Sequence, residues 1–289
     1  MKTIGLVANL DRDINGEYVK EVADWILNRG LRPIVRESDA KFLSSEYRTA
    51  KGDELYKLSD MIVTLGGDGT MIGASKQAAV FGAPIIGINL GTLGYLTDSA
   101  RGADGIESIR KVLDGEYKVE KRMMLEASVL DATGNVVKSE LLALNDVCVL
   151  RGISPKSKSY SVQINDNYLD TYKGDGIIMA TPTGSTAYNL SAGGPILRPD
   201  MECITITPIC PHKLNSRPLV LSANDVIDIG IAGDYEQEGR SEVTLSLDCQ
   251  ENIELEKGQS VRVEKSKKHV TFLKTNDLGF YDILRMKMH

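Results

Sequence analysis

Short apolar runs alternate with amphipathic segments from the start of the chain to Asn89. The apolar runs predict strands at residues 4–8, 31–35, 61–65 and 84–89, and a helix is predicted at residues 71–81. A further helix is predicted to end at Gly30, with one face formed by Val19, Val22, Ile26 and Leu27. Residues 37–59 are polar and mixed, and they indicate only a helix and a loop. Strands that alternate with helices favour a parallel sheet covered by helices, so we predict an α/β domain here.

The pattern changes after a helix predicted at residues 103–113, which Gly115 ends. From there to residue 273, short strands are separated by turn residues, and hairpins are predicted around residues 133–135 and 165–167. The length of 289 residues also exceeds the usual size of one domain, roughly 100 to 200 residues. We predict an α/β domain at residues 1–118 and a β-rich domain at residues 119–274. The helical spacing of residues 275–289 predicts that they pack back on the first domain.

Composition and charge narrow the class of protein. An apolar fraction of 42% and a charged fraction of 26% are typical of a globular protein with a sizeable core. The formal net charge of -6 argues against nucleic acid or an anionic membrane as the main partner. The four cysteines and three histidines lack a zinc-binding spacing, so reduced thiols are expected. Neither a secretory signal nor an apolar run of roughly 18 residues is found, which predicts a cytoplasmic protein.

A glycine-rich segment, Gly66-Gly67-Asp68-Gly69-Thr70, follows the strand predicted at residues 61–65, and we name it the aspartate loop. Glycine N–H groups before a helix suit an anion, at the sheet edge where open α/β folds bind ligands. A carboxylate there repels phosphate. Asp68 is therefore expected to accept a proton from an attacking hydroxyl or to lie beside a metal ion. The alternative is a tight turn without chemistry, and no Walker A lysine pattern occurs.

Two further segments carry polar groups after or within apolar runs. Residues 181–195, the hydroxyl-rich loop, begin Thr181-Pro182-Thr183-Gly184-Ser185-Thr186-Ala187-Tyr188. Their hydroxyls and amides suit the edge of a heteroaromatic base and phosphate oxygens, and Tyr188 offers a face for stacking. Asn145-Asp146 interrupts an apolar run, and Asp146 is suited to accept protons from two vicinal sugar hydroxyls. The alternatives are a surface loop and a strand-end turn, and residues 173–176 by themselves indicate a turn.

Taken together, these segments resemble the bacterial NAD kinases that use ATP or polyphosphate. The aspartate loop matches the family's GGDGT loop, Leu144-Asn145-Asp146 its Asn-Glu motif, Gly174-Asp175-Gly176 its GDG turn, and the hydroxyl-rich loop its TPTGSTAY signature. GGDGT alone is shared with lipid kinases and phosphofructokinase relatives, whereas the long signature is specific. The resemblance covers nearly the whole chain. Asp146 is one methylene shorter than the family's usual glutamate, so its contact needs a closer backbone or a water.

The resemblance implies an α/β domain and a β-rich domain with NAD in the crevice between them, assembled as a homodimer or homotetramer. The implied reaction transfers the terminal phosphoryl group of ATP, or of polyphosphate, to the 2′-hydroxyl of the adenosine ribose of NAD and makes NADP. Asp68 would accept the proton of that hydroxyl. Phosphoryl oxygens would be bound by Gly66, Gly67, Gly69 and Thr70. A divalent cation, most readily Mg²⁺, would be bound mainly through substrate phosphates, and no protein ligand is named for it.

The NAD-binding residues that the resemblance implies come from several segments. Asp68 and Gly69 would contact NAD. The adenine would be contacted by Asn145, Thr183, Thr186 and Ala187, the ribose hydroxyls by Asp146, and the rest of the dinucleotide by Tyr188, Asn189, Leu190 and Ser191. Further contact positions, some of them served by a neighbouring subunit, are occupied by Lys173, Asp175, Cys210 and Gln250. Two alternatives stay open, a lipid or sugar kinase with the same GGDGT loop and a regulator that senses NAD or NADP without turnover.

Overall fold

The structure of the protein is a computed structural model that describes residues 1–42, 47–91, 94–152, 156–232 and 243–288. Its contacts divide the chain into two units, Met1–Lys121 with Val270–His289, and Arg122–His269. The division falls at residue 121, beside the boundary that the sequence analysis placed at 118, and the C-terminal segment belongs to the first unit. Within the described ranges, no helix is both long enough and apolar enough to cross a membrane.

The first unit has the strand and helix alternation of an α/β domain. Its elements are β1 (Thr3–Ala8), α1 (Glu17–Asn28), β2 (Arg32–Arg36), β3 (Arg48–Ala50), α2 (Glu54–Leu58), β4 (Met61–Gly66), α3 (Asp68–Phe81), β5 (Ile85–Asn89), β6 (Ser99–Ala100) and α4 (Ala103–Leu113). The strands predicted at residues 4–8, 31–35, 61–65 and 84–89 are confirmed as β1, β2, β4 and β5. The predicted helices are α1, α3 and α4, and Gly30 follows α1 with a left-handed φ of 73°.

Three predictions of local structure in this unit need correction. The helix predicted at residues 71–81 begins three residues earlier, because Gly67 adopts the extended N-cap conformation and Asp68 already lies in the first turn of α3. The stretch 37–59 contains the short strand β3 besides α2, and residues 43–46 of it lie outside the described residues. Leu27, which the sequence analysis placed on one helical face with Val19, Val22 and Ile26, is exposed, whereas those three are buried.

The first unit is built on a parallel sheet with the strand order β5-β4-β1-β2-β3. Ile4 pairs with Met61 and with Pro33, and Ile62 pairs with Ile85. Strand β4 lies between two other strands and all six of its residues are buried, which explains its continuous apolar run. The core packs the sheet against α1 and α4 through Leu6, Val22, Ile26, Val63, Ile86, Ile88 and Ile109.

The second unit consists mainly of strands, as the sequence predicts. The elements that follow α4 are β7 (Lys118–Leu130), β8 (Val136–Ala143), β9 (Asp146–Arg151), β10 (Lys158–Ile164), β11 (Asn167–Gly174), β12 (Gly176–Ala180), α5 (Tyr188–Ser191), β13 (Cys203–Ile209), β14 (Leu219–Ser222), β15 (Ile227–Ala232), β16 (Val243–Leu247), β17 (Glu251–Glu254), β18 (Ser260–Lys274) and α6 (Phe280–Met288). The end of β18 and α6 belong to the first unit, where Phe272 pairs in parallel with Ile85.

Antiparallel strands enclose the core of the second unit. One sheet has the order β14-β13-β12-β9-β16-β17, and its inner face contributes Val147, Ile177 and Leu245 to the core. The facing strands β10, β11 and β15 contribute Tyr160, Tyr172 and Ile229. The two predicted hairpins are confirmed as β7–β8 and β10–β11. The second one turns at Asn165 and Asp166, whose φ angles of 50° and 62° fit a tight two-residue turn.

Candidate active site

The aspartate loop joins the end of β4 to the start of α3, at the carboxyl edge of the parallel sheet. Asp68 is partly exposed, and its two carboxylate oxygens accept the backbone N–H groups of Tyr95 at 2.8 Å and Leu96 at 3.0 Å. The backbone passes so close that a Cβ at Gly94 would overlap Asp68 Oδ1. The carboxylate is therefore held in one orientation, while each oxygen keeps a lone pair that can accept a proton.

The segment that holds Asp68 is itself anchored by buried polar groups. Lys274 Nζ donates hydrogen bonds to the carbonyl oxygens of Leu96 at 2.9 Å and Thr97 at 3.2 Å. Thr97 Oγ1 accepts hydrogen bonds from Asn89 Nδ2 at 3.1 Å and from the N–H of Gly94 at 3.0 Å. These contacts come from the ends of β5 and β18 and fix the backbone that orients the Asp68 carboxylate.

The glycines of the aspartate loop differ in their surroundings. Gly66 is buried, and a Cβ there would overlap Thr70 Oγ1, so Gly66 allows β4 and α3 to meet closely. Gly69 is exposed, and a Cβ there would meet no atom within 4 Å. Gly67 lies before the first turn of α3, where the partial positive charge of the helix favours an anion. This end of α3 thus combines a fixed carboxylate with an environment suited to phosphate.

In the second unit, the structure brings Asn145 and Asp146 to the hydroxyl-rich loop. Asp146 pairs with Ala180 across β9 and β12, and the N–H of Thr181 donates to the carbonyl oxygen of Asn145 at 2.8 Å. A Cβ at Gly184 would overlap that same carbonyl oxygen. The amide, the carboxylate and the loop hydroxyls therefore lie at one end of the six-stranded sheet.

The hydroxyl-rich loop is more ordered than a surface loop. It contains a 3-10 turn, Gly184–Thr186, and the short helix α5. Asn189 is fully buried, and its amide donates to the carbonyl oxygens of Ser185 and Pro195 and accepts from the hydroxyls of Thr205 and Thr207. These four hydrogen bonds occupy the side-chain amide of Asn189 and attach the loop to β13. The predicted contact of Asn189 with a ligand would have to involve its backbone.

The other loop positions differ in exposure. Thr183 is buried and accepts a hydrogen bond at 3.4 Å from the guanidinium of Arg122, a buried cation that the sequence analysis did not single out. Tyr188 is partly buried and packs against the cluster of Cys148, Ile178 and Ala180 on the outer face of the sheet. The remaining predicted positions are partly or fully exposed, namely Thr186, Ala187, Leu190 and Ser191.

Asp248 is a functional candidate that the sequence analysis missed. It is 6% exposed, and its carboxylate accepts the backbone N–H groups of Leu144, Asn145 and Asp146 at 2.9, 2.7 and 3.1 Å. Three N–H donors on one carboxylate fix the backbone on which the Asn145 and Asp146 side chains stand. An acidic residue directly after the apolar run of β16 was the available sequence signal.

The environment of Asp146 works against its ionisation. Its side chain is 1% exposed, and burial together with the nearby charge of Asp248 raises the pKa of Asp146 to about 6, while the thiol of Cys148 donates to it at 3.4 Å. Burial and the charge of Asp146 also raise the pKa of Cys148, so this thiol stays protonated. All four cysteines are free thiols.

Three predicted NAD-binding positions lie at the opposite end of β12 from Asp146. Asp175 precedes β12 and accepts a hydrogen bond from Arg151 Nε at 2.7 Å. Cys210 is exposed and follows Ile209, the partner of Gly176, and Lys173 is exposed in β11. A five-residue strand separates the two ends by about 13 Å. Gln250, in the turn after β16, lies exposed at the same end as Asp146.

Comparison with known proteins identifies the family. A profile described as the ATP-NAD kinase N-terminal domain matches residues 4–117, and one described as the ATP-NAD kinase C-terminal domain matches residues 144–275. The chain belongs to the ATP-NAD kinase family. It is 40% identical over 288 residues to an NAD kinase of Caldanaerobacter subterraneus subsp. tengcongensis, covering 100% of this chain and 99% of that protein. An NAD kinase of Thermoanaerobacter sp. (strain X514) is 38% identical with the same coverage.

Two solved structures of kinases share the fold. Yeast NADH kinase complexed with NADH has a TM-score of 0.85 and 27% identity, covering 99% of this chain and 86% of that one. An NAD kinase from Archaeoglobus fulgidus in complex with ATP has a TM-score of 0.71 and 25% identity, covering 95% of this chain and 94% of that one. The resemblance and the fold class that the sequence analysis predicted are thereby confirmed.

Among the described residues, no three or more His, Cys, Asp or Glu side chains are grouped so that they could hold a metal ion.

Proposed function

We propose that the protein is an NAD kinase that transfers the terminal phosphoryl group of ATP to the 2′-hydroxyl of the adenosine ribose of NAD. Full-length relatives named NAD kinase and solved relatives with NADH and with ATP support both substrates. The observation that carries the proposal is the carboxylate of Asp68, held by two N–H groups at the N-terminus of α3. A carboxylate fixed beside an anion-binding helix end suits a reaction in which a hydroxyl attacks a phosphoryl group.

In the proposed reaction, the oxygen of the 2′-hydroxyl attacks the terminal phosphorus of ATP, and the bond from that phosphorus to the ADP oxygen breaks. The proton of the hydroxyl passes to Asp68, and ADP leaves with the bond electrons. Asp68 orients the hydroxyl because its own orientation is fixed by Tyr95 and Leu96. Positioning and charge neutralisation supply most of the acceleration in phosphoryl transfer.

The proposal assigns NAD recognition to the end of the six-stranded sheet where Asn145, Asp146 and the hydroxyl-rich loop meet. The hydroxyl of Thr183 and the side chain of Asn145 offer hydrogen bonds for adenine, and Asp146 offers a carboxylate for the ribose hydroxyls. Asp248 fixes the backbone of residues 144–146 and so positions both side chains.

The proposal also covers the metal ion, the oligomeric state and the localisation of the protein. Mg²⁺ would be bound mainly through the substrate phosphates, since it keeps several waters and needs few protein carboxylates, and it would supply positive charge against the phosphate oxygens. We also propose a homodimer or homotetramer in the cytoplasm. The distance of Lys173, Asp175 and Cys210 from Asp146 along β12 supports contacts that these residues make to NAD bound by a neighbouring subunit.

A product screen tests the proposed activity. Purified protein with Mg²⁺ is given NAD, NADH, diacylglycerol or fructose phosphate as acceptor, with ATP or polyphosphate as donor. The proposal predicts phosphorylation of the dinucleotide and release of ADP from ATP. Phosphorylation of the lipid or the sugar alone would contradict it in favour of another GGDGT kinase. Tight binding of NAD without release of ADP would contradict it in favour of a regulator.

A further inference from the structure

Arg12 lies in a turn after β1 that is attached to the end of β4. The N–H of Asn9 donates to the carbonyl oxygen of Leu65 at 2.8 Å, directly before the aspartate loop. The carbonyl oxygen of Asn9 in turn accepts the N–H groups of Arg12 at 3.2 Å and Asp13 at 3.0 Å. The backbone of Arg12 is thereby placed beside the aspartate loop by hydrogen bonds within the first unit.

Asp13, the residue after Arg12, is buried, whereas Arg12 is exposed. Asp13 is 1% exposed, and its carboxylate accepts the backbone N–H groups of Tyr18 at 3.0 Å and Val19 at 2.8 Å in the first turn of α1. Since Asp13 points inward to hold α1, the adjacent side chain of Arg12 is exposed at the sheet edge. The turn is therefore fixed on both sides of Arg12, by Asn9 and by Asp13.

The guanidinium of Arg12 extends across two glycine backbones. Arg12 Nη1 lies 3.1 Å from the point that a Cβ at Gly67 would occupy and 3.4 Å from the corresponding point at Gly91. A Cβ at Gly67 would crowd the guanidinium, whereas a Cβ at Gly91 would meet it at an ordinary contact distance, so Gly67 is the glycine that leaves room for it. Gly67 is the N-cap of α3 and directly precedes Asp68.

The charge of Arg12 is available to a ligand. In the part of the chain that the structure describes, its guanidinium takes part in no hydrogen bond or ion pair, unlike Arg36 and Arg48, which pair with Asp39 and Glu54. A guanidinium has five N–H donors in a planar fork that matches two oxygens of a phosphate. A cation next to the aspartate loop would also offset part of the repulsion between Asp68 and phosphate.

We infer that Arg12 binds the phosphoryl group of the donor at the N-terminal end of α3. The inference rests on the proposed function and adds a donor-binding residue to it. The guanidinium binds two oxygens of the terminal phosphate, and the negative charge that develops there during transfer strengthens the contact. The adenine and ribose of NAD carry no anionic group for the guanidinium, whereas the diphosphate of NAD does, so the test compares the binding of ATP with the binding of NAD.

The test replaces Arg12 by glutamine, by lysine and by glycine. In Arg12→Gln we expect kcat/KM for ATP to fall by about 10²-fold or more, with the dissociation constant of NAD unchanged within about twofold. Arg12→Lys keeps the charge but loses the fork, so it should recover only part of the loss. Free guanidinium ion should partly restore Arg12→Gly. The matched control is Arg48→Gln, which removes an exposed arginine of the same unit and should behave as wild type.

Titration of ATP against wild type and Arg12→Gln, without NAD, separates this inference from the proposed function. Weaker ATP binding in the variant supports the inference even where wild type makes no NADP. The inference is overturned, and the proposed function stays intact, if wild type makes NADP and Arg12→Gln keeps its kcat/KM for ATP within about twofold of wild type. Wild type that binds no ATP overturns both. A loss that follows a lowered Tm and is not restored by guanidinium also overturns the inference.

Discussion

At the scale of the residue, Asp146 is predicted to bind the ribose hydroxyls as a carboxylate, but its environment disfavours the charged form. Its pKa of about 6 lies above the ordinary value of 3.8, because burial and Asp248 disfavour the charged form. Between these two pH values the folded state binds more protons at this site than the unfolded state does. The contribution of Asp146 to the free energy of unfolding therefore falls as pH rises from about 4 to about 6, and stays at its lowest above that.

Replacing Asp146 by asparagine removes this titration without a large change in shape. The free energy of unfolding of Asp146→Asn, relative to wild type, should rise as pH increases from 4 to 6 and level off above. Urea unfolding of both proteins across this range measures the difference. Cys148→Ser, which keeps the acid and a donor beside it, serves as the control. A difference between Asp146→Asn and wild type that does not vary with pH would contradict the raised pKa.

The sequence predicted Asp68 and Asn145 as candidate site residues but not the residues that hold such candidates in place. Asp68 and Asn145 could be found because each stands in a polar segment next to an apolar run. Asp248 could not be assigned, since its partners are backbone N–H groups about a hundred positions away, and no pattern of side chains encodes them. For Asn189 the motif implied a ligand contact, whereas the buried amide is used within the loop.

At the scale of the element, close backbone approach shapes the site. The aspartate loop predicted at residues 66–70 divides between the end of β4 and the first turn of α3, so Asp68 has a helical backbone. Glycine and aspartate are poor helix formers, which is why the sequence indicated a loop. Asp68 is fixed by residues 94–96, whose backbone passes over its carboxylate. This is a contact between separate segments, and the hydrophobic periodicity of the sequence cannot predict it.

Gly94→Ala tests this contact. Its Cβ would overlap Asp68 Oδ1, so the segment must move, and we expect kcat to fall by more than tenfold together with a loss of about 1–3 kcal/mol in stability. Gly279→Ala is the control, because a Cβ there meets only an ordinary contact 3.4 Å from Asp282 Oδ2. Steady-state kinetics and urea unfolding give the two readouts. Unchanged kcat in Gly94→Ala would show that Asp68 does not need this placement.

At the scale of the whole molecule, the alternation of segments and the later change to short strands were sufficient for the fold class. Parallel pairing follows from the connecting helices, and the antiparallel unit follows from short turns such as the one at Asn165 and Asp166. The short strand β3 was not predictable, because three polar and small residues carry no period. A net charge of -6 also gave no sign of the local cation, Arg12, beside the aspartate loop.

The proposed acid–base step lies in the first unit and the proposed NAD recognition in the second, so one variant can separate catalysis from binding. Asp68→Asn keeps the size of the side chain but cannot accept the proton. One of its two N–H contacts, to Tyr95 or Leu96, also becomes unfavourable, so Tm is recorded as the control for folding.

The most direct test is the rate of NADP formation by wild type and Asp68→Asn with saturating NAD, ATP and Mg²⁺, alongside the dissociation constant of NAD. We predict that Asp68→Asn forms NADP at least about 10²-fold more slowly, while the dissociation constant of NAD changes much less. Formation of NADP by Asp68→Asn at a rate near that of wild type would contradict the assignment of Asp68 as the proton acceptor.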